Sequence, residues 1–291
     1  MSKKAVIGLI QMKVYRDPAF NLNRAIKKIR EAAKKGAKII ALQELFRTYY
    51  FPQTKNKRYF SFSESVPGPM TKILSRLARK LKVILIVPLF EKRSAKLYYN
   101  TAVIINTDGK IIGKYRKTHL PNDPCFYEKF YFAPGNLGVK SVQTKFAKIG
   151  VLVCWDQWFP EAARLTALSG AQILFYPSAI GWHSREPNPT RIEEKNAWEM
   201  IQRAHAITNG IYVAAINRTG REKQLTFWGS SFVAGPFGEK IAQASERREE
   251  VLIAECDLSK ISRIRKLWPF LKERRVDTYR NLIHRFAQRN V

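Results

Sequence analysis

The stretch Gly150-Val151-Leu152-Val153-Cys154-Trp155-Asp156-Gln157-Trp158-Phe159-Pro160-Glu161 holds the side chain best placed to do chemistry. Its apolar run stops at Cys154 and a polar aromatic turn follows. Pro160 then occupies a first helical position, where a fixed φ helps and a missing N–H breaks no bond. The pattern predicts strand, tight turn and helix. A thiol at that junction lies beside free backbone N–H groups, which favour a thiolate and can hold an oxyanion, so Cys154 is placed as a nucleophile. The competing reading is a small buried apolar residue, the usual state of a free cysteine. Glu44 ends a second apolar run, Lys38 to Leu42. A carboxylate at a strand's carboxyl end is in the usual place for chemistry in an α/β sheet, and its competing role is to cap the next turn of chain. Arg116, Lys117 and His119 come directly after a predicted hairpin. Either one of these bases serves the site or all of them solvate a strand end, and periodicity does not choose.

The elements that must position these groups read in order. Ala5 to Gln11 is a buried strand, and Asn21 to Lys35 a helix with Leu22, Ile26 and Ile29 on one face and Gly36 past its end. Lys38 to Leu42 is the next strand. Pro67-Gly68-Pro69 precedes a helix from Met70 to Lys80, and Val83 to Val87 is a continuous apolar strand. Thr101 to Asn106 and Lys110 to Tyr115 flank Thr107-Asp108-Gly109, a hairpin signal. Pro160 to Ser169 is a helix closed by Gly170, and Ile173 to Tyr176 a buried strand. Ile192 to Asn209 is a helix stopped by Gly210, and Ile211 to Asn217 is again a strand. Ser231 to Ala234 and Glu239 to Ala242 flank Gly235-Pro236-Phe237-Gly238, a second hairpin. Two halves thus repeat strand, helix, strand and hairpin. This predicts one α/β domain over residues 1–291, with two sheets packed face to face and helices outside. From Leu258 onward the chain is basic and aromatic, with Trp268-Pro269-Phe270 and a helix-like segment from Tyr279 to Phe286. A tail with this much apolar surface is expected to dock, on this subunit or another.

Composition narrows the function classes. Of 291 residues, 45% are hydrophobic, and 52 Lys and Arg against 23 Asp and Glu give a net charge of +29. That balance would suit nucleic acid, yet the charges are interleaved, as in Lys272-Glu273-Arg274-Arg275 and Glu246-Arg247-Arg248-Glu249-Glu250, which favours a solvated basic surface. Cys125, Cys154 and Cys256 show no paired spacing, so neither a disulfide framework nor a zinc knuckle is indicated. His119, His183, His205 and His284 form no i, i+4 pair and give no support for a metal site. Lys3-Lys4 precede only the short apolar run Ala5 to Ile10, too short for a signal segment, and no run reaches membrane-span length. A soluble, cytoplasmic protein is expected.

Read together, Glu44, Lys117 and Cys154 stand at or just after predicted strand ends. In that order and spacing the chain resembles the nitrilase superfamily of carbon–nitrogen hydrolases. The resemblance is carried by Leu42-Gln43-Glu44-Leu45-Phe46, by Lys114-Tyr115-Arg116-Lys117-Thr118-His119-Leu120-Pro121 and by Cys154 through Arg164. It extends through Tyr127-Glu128-Lys129-Phe130-Tyr131-Phe132, Ser231-Phe232-Val233-Ala234-Gly235-Pro236 and Arg274-Arg275-Val276-Asp277-Thr278-Tyr279. It implies a four-layer α-β-β-α sandwich and a triad in which Glu44 is the general base and Cys154 the nucleophile. Lys117 and the backbone N–H of Trp155 would hold the developing oxyanion. Glu128 matches a second glutamate that positions the lysine or the substrate amide, with a structural salt bridge as its alternative. Tyr50, Ser178 and Ala179 match pocket-lining positions. The resemblance implies no metal or organic cofactor, a small carbamoyl or amide substrate, and a homo-oligomer, from a dimer across the sheet-flanking helices up to an octamer.

The Cys-Trp-Asp-Gln-Trp-Phe-Pro-Glu and Glu-Lys-Phe-Tyr-Phe runs look most like members acting on N-carbamoylputrescine, so a thiol amidohydrolase of polyamine biosynthesis is the leading expectation. Two departures bear on the substrate. The loop Ile180-Gly181-Trp182-His183-Ser184-Arg185-Glu186-Pro187 is longer than the Ile-Gly-Ser-Glu-Pro loop of those members. Glu186 would meet the substrate's ammonium, while Trp182, His183 and Arg185 would reshape the pocket or favour an anionic tail. Arg47-Thr48 replaces an acidic residue and a glycine beside the base. An acidic residue facing the tail favours an amine and a basic one favours an acid, which keeps N-carbamoyl amino acids and ω-amides as alternatives. Outside these, a basic nucleic-acid-binding protein and a catalytically silent scaffold remain.

Overall fold

The computed structural model describes residues 4–284, so Lys3 and, in the tail segment, Arg285 and Phe286 lie outside it. Strands β1 (Lys4–Gln11) and β2 (Ile39–Leu42) pair in parallel, joined by helix α1 (Pro18–Lys34). The helix starts earlier than the apolar spacing predicts. The Asp17 carboxylate accepts from the Ala19 N–H at 2.8 Å and Pro18 fits the first turn, so the cap overrides the periodicity. Its buried face is Asn21, Ala25, Ile29 and Ala32, whereas Leu22 and Ile26 are half-buried.

Helix α2 (Pro69–Leu81) leads into β3 (Ile84–Ser94), which runs well past the predicted end at Val87. Pro88 reads as a stop, but β2 pairs with β3 only as far as Ile86. Pro88 falls between that point and the single bridge of Glu64 to Glu91 on the same edge, so its missing N–H breaks no ladder. Strand β4 (Leu97–Ile105) pairs antiparallel with β3 and with β5 (Ile111–Arg116), the latter across the predicted Thr107-Asp108-Gly109 turn.

The second half runs β6 (Ser141–Gln143), β7 (Lys148–Val151), α3 (Pro160–Leu168), β8 (Ile173–Pro177), β9 (Gly181–His183), α4 (Asn188–Asn209) and β10 (Tyr212–Ile216). It continues with β11 (Thr219–Glu222), β12 (Leu225–Trp228), β13 (Phe232–Ala234), β14 (Lys240–Gln243), β15 (Glu250–Asp257) and α5 (Ser259–Leu267). One six-stranded sheet has the order β15-β1-β2-β3-β4-β5, the other β14-β13-β10-β8-β7-β6, and β11-β12-β9 form a small third sheet. Several sequence readings change here. β6, β11, β12 and β15 were not predicted, β15 pairs antiparallel with β1 along its whole length, and the segment read as a loop from Ile180 to Pro187 contains β9.

Alternation along the buried strands makes the layers. Ile39, Ala41, Ile84 and Ile86 pack with Ile149, Ile173, Phe175 and Ala214 of the opposite sheet. Their neighbours Ile40, Leu42, Leu85 and Val87 point the other way, onto Ala25 and Ile29 of α1 and Leu74 and Leu77 of α2. Ala163 and Ala167 of α3, with Trp198 and Ala206 of α4, cover the second sheet. The result is the four-layer α-β-β-α sandwich that the resemblance implied. The tail forms 3-10 turns at Val276–Thr278 and Arg280–Ile283, and Trp268, Phe270, Val276, Leu282 and Ile283 remain exposed on this chain. No helix among the described residues is long and apolar enough to cross a membrane.

Candidate active site

The nucleophile turn is built by close packing. A Cβ on Gly150 would lie 2.1 Å from Thr166 Cγ2, so glycine lets β7 lie against α3. The chain then turns at Cys154, whose φ of +44° is in the left-handed region that non-glycine residues rarely adopt. Cys154 begins a 3-10 turn through Trp158, and Pro160 opens α3 as predicted. The thiol lies against a cavity of about 690 Å³ whose wall includes Tyr50, Trp155, Trp158, Ala179, Glu186 and Trp228. Burial pushes the thiol well above its ordinary value and the Glu44 and Glu128 carboxylates push it further, against the pull of the Lys117 ammonium and the Ala179 backbone N–H. The resting sulfur is therefore a thiol and needs a base before it can attack.

Glu44 and Lys117 lie fully buried behind that cavity wall. Glu44 Oε1 accepts from Lys117 Nζ at 2.9 Å and from Asn100 Nδ2 at 2.7 Å, while Oε2 has no hydrogen-bond partner among the described residues. One oxygen is fixed and the other is available to a proton donor. Lys117 Nζ also donates to both oxygens of Glu128, at 2.8 and 2.7 Å, and Tyr50 Oη donates to Glu128 at 2.6 Å. Burial opposes the charge on Lys117, but the two carboxylates outweigh it and hold the ammonium raised. Burial and the Glu44 charge push the Glu128 carboxyl up to about 7 against the attraction of Lys117.

Other buried polar groups fix these segments, and the sequence reading missed them. Arg218 Nη2 donates to the carbonyls of Glu44 and Leu45 at 2.7 and 3.1 Å, and its Nη1 pairs with Glu222 Oε1 at 2.7 Å. The other Glu222 oxygen accepts from the Tyr50 N–H at 2.7 Å, so one buried ion pair holds both ends of the segment from Glu44 to Tyr50. Asn100 lies one residue before the strand predicted from Thr101, and no pattern in the sequence singled it out.

The predicted substrate-binding residues divide. Tyr50, Trp155, Ala179 and Glu186 line the cavity, and Glu128 stands behind it bonded to Tyr50 and Lys117. Ser178 does not line it: its hydroxyl donates to the Tyr176 carbonyl at 3.1 Å, because alternation at the end of β8 turns residue 178 inward. Arg47 also lies elsewhere, paired with Glu64 at 3.3 Å. Glu186 Oε2 accepts from the His183 N–H at 2.9 Å, and Asp123, Arg185 and Glu194 share its wall. Burial and the adjoining Glu186 carboxylate raise Glu194.

A sheet sandwich that gathers a cysteine, a lysine and a carboxylate just past its strand ends, with a second carboxylate on the 3-10 turn Glu128–Phe130, is an arrangement that can support acyl transfer through a thiol. The sequence profile of the family described as "Carbon-nitrogen hydrolase" matches residues 6–266. The chain belongs to this carbon–nitrogen hydrolase family and is an amide-hydrolysing enzyme. It is 42% identical to an N-carbamoylputrescine amidase of Arabidopsis thaliana, over 97% of this chain and 96% of the relative. It is 38% identical to a citrullinase of Francisella tularensis, over 96% and 98%. A crystal structure of a carbon–nitrogen hydrolase from Helicobacter pylori superposes with a TM-score of 0.94 at 44% identity, covering 97% of this chain and 99% of that one.

Proposed function

We propose that this chain hydrolyses N-carbamoylputrescine to putrescine, carbon dioxide and ammonia. The observation that carries the reading is one cavity with Cys154 against the buried Glu44, Lys117 and Glu128 cluster, and with Asp123, Glu186 and Glu194 on its wall to receive a cationic tail. The similarity to the Arabidopsis amidase supports the same substrate.

In this reading Glu44 Oε2 takes the thiol proton as Sγ bonds to the carbamoyl carbon. The charge that collects on the carbonyl oxygen meets Lys117 Nζ and the Trp155 N–H, donors worth about 3 kcal/mol each. The proton returns from Glu44 to the terminal nitrogen, its C–N bond breaks, and ammonia leaves an S–C(=O)–NH–R group on Cys154. Water deprotonated by Glu44 then attacks that carbon, the C–S bond breaks and the thiol regains its proton. The released carbamate decomposes to carbon dioxide and the amine. Both steps balance with these groups and water alone.

A second reading has one observation in its favour. Arg185 lines the same cavity, and an arginine beside Glu186 would suit a substrate carrying a carboxylate as well as an ammonium, such as citrulline. Ammonia release from N-carbamoylputrescine, citrulline, N-carbamoyl-β-alanine and a short ω-amide, with Cys154→Ala as control, tests both. A preference for N-carbamoylputrescine that the substitution abolishes supports the proposal, and a preference for an anionic or zwitterionic compound replaces it with the second reading.

The exposed apolar residues Leu165 and Leu168 of α3, Ile192 and Met200 of α4, and those of the tail fit contact with further copies of this chain. We read the protein as a homo-oligomer on that ground, which light scattering in solution would test. The free thiols of Cys125, Cys154 and Cys256 suit a reducing cytoplasm.

A further inference from the structure

Lys117 and Cys154 reach the site from different sheets. Lys117 follows β5 at the edge of the first, Cys154 follows β7 of the second, and the contact between those sheets is apolar. Apolar packing is not directional, so it does not by itself fix an ammonium against a sulfur to within a few tenths of an ångström. Asp156, two residues beyond Cys154 and fully buried, does make directional contacts to both segments. Its Oδ1 accepts from the His119 N–H at 2.9 Å and lies 2.7 Å from His119 Nδ1. Its Oδ2 accepts from Tyr115 Oη at 2.8 Å and from the Val153 N–H at 3.0 Å.

These partners are distributed in a particular way. Tyr115 and His119 bracket Lys117, two residues to either side, and Val153 immediately precedes Cys154. The His119 ring also stacks face to face on Phe159, with centroids 3.6 Å apart and planes within 7°, so the lysine segment meets the nucleophile turn at two of its residues. Tyr115 Oη lies 3.0 Å from Thr118 Oγ1 as well. Burial, with the Asp156 charge beside it, raises the Tyr115 hydroxyl well above its ordinary value, so it stays a donor.

We propose that Asp156 is a positioning residue for the hydrolysis, a carboxylate joint that sets Cys154 Sγ against Lys117 Nζ, with His119 as its partner on the lysine segment. This rests on the roles proposed for Cys154 and Lys117. A joint differs from a general stabiliser because its loss misplaces reacting groups in an enzyme that is still folded. Misplacement of about 1 Å costs on the order of 100-fold in rate.

The test compares Asp156→Asn, His119→Ala and His119→Asn, measuring kcat and KM on the best substrate of the panel above, the thermal midpoint, and the rate at which iodoacetamide alkylates Cys154. The side-chain amide introduced by His119→Asn can donate from the place of histidine Nδ1, so that variant keeps the donor that His119→Ala removes. The expected result is a kcat lowered about 100-fold in Asp156→Asn and about 10-fold in His119→Ala, KM within about 2-fold, and most of the rate recovered in His119→Asn. Lowered thermal midpoints with wild-type kcat would make Asp156 a structural residue only and overturn the proposal. If Asp156→Asn does not fold, the two variants at half-exposed His119 decide: unchanged kcat in His119→Ala, or no recovery in His119→Asn, overturns it. Cys154→Ala, run beside them, reports on the parent reading separately. Activity in that variant would sink the role of Cys154 whatever the other variants do.

Discussion

Replacing Glu128 with glutamine should slow turnover and at the same time make the Cys154 thiol easier to ionise. Glu128 accepts from Lys117 Nζ at 2.7 and 2.8 Å and from Tyr50 Oη at 2.6 Å, with the ion pair wholly buried. Unit charges about 4 Å apart attract by about 4 kcal/mol at an effective dielectric of about 20. Lys117 keeps Glu44 at 2.9 Å, so the loss is partial, and about 3 kcal/mol of folding stability is the expected scale for breaking such a pair. The amide nitrogen of Glu128→Gln cannot accept from the ammonium, so Nζ shifts toward Glu44 and away from the carbonyl oxygen it is proposed to hold. Losing one such donor costs about 3 kcal/mol, or on the order of 100-fold in kcat. The thiol responds with the opposite sign. The Glu128 charge is one of the causes that raise Cys154, and removing a nearby anion favours the thiolate. The assays are kcat for ammonia release and the pH midpoint of Cys154 alkylation by iodoacetamide. A kcat within about twofold of wild type together with an unmoved alkylation midpoint would refute the reasoning.

Three further outcomes rest on the same network and its buried neighbours. The Glu91 carboxyl is held at about 2, where burial is outweighed by Arg116, Lys114 and Thr101, so its stabilisation is present above its ordinary value of 4.5 and lost as pH falls from 4.5 toward 2. Glu91→Gln should cost about 3–5 kcal/mol in urea unfolding at neutral pH and remove that acid-dependent part. Burial, with Arg164 nearby, lowers His205 from 6.5 to about 4, so the folded state refuses a proton that the unfolded chain takes up. Stability should fall by about 3 kcal/mol between pH 6.5 and 4 from this residue, and His205→Phe should flatten that slope in denaturation midpoints measured against pH. Asn100→Leu leaves Glu44 Oε1 with Lys117 alone, and should lower kcat about 10-fold with KM nearly unchanged, as steady-state ammonia release would show.

The parts of this fold that were legible in the sequence are those fixed by neighbours along the chain. The run into Cys154, Pro160 opening α3, and the turn at Thr107-Asp108-Gly109 are local patterns, and each formed where its spacing placed it. What was hidden depends on distant partners. β15 begins inside the charged run from Glu246 to Glu250 and becomes a strand because β1 offers it a free edge. β9 exists because β12 lies beside it, where a Cβ on Gly181 would fall 2.4 Å from the Thr226 carbonyl oxygen. The site divides in the same way. Motif resemblance pointed to Glu44, Lys117, Glu128 and Cys154, which the fold brings into one cluster. The Arg218 and Glu222 pair and the amide of Asn100 act across long stretches of chain, and no spacing rule reaches them. Ser178 shows the converse limit, since a one-residue change of face separates it from the cavity that Ala179 lines.

Intact-mass and peptide mapping of the wild-type protein, quenched with acid within milliseconds of mixing with N-carbamoylputrescine, would test the proposed chemistry at its covalent step. A mass gain equal to the substrate less one ammonia, located on Cys154 and absent from Cys154→Ala, is the predicted result. A gain of the carbamoyl group alone would show that the amine leaves first. No adduct on Cys154, with ammonia release undiminished in Cys154→Ala, would contradict the assignment of the nucleophile.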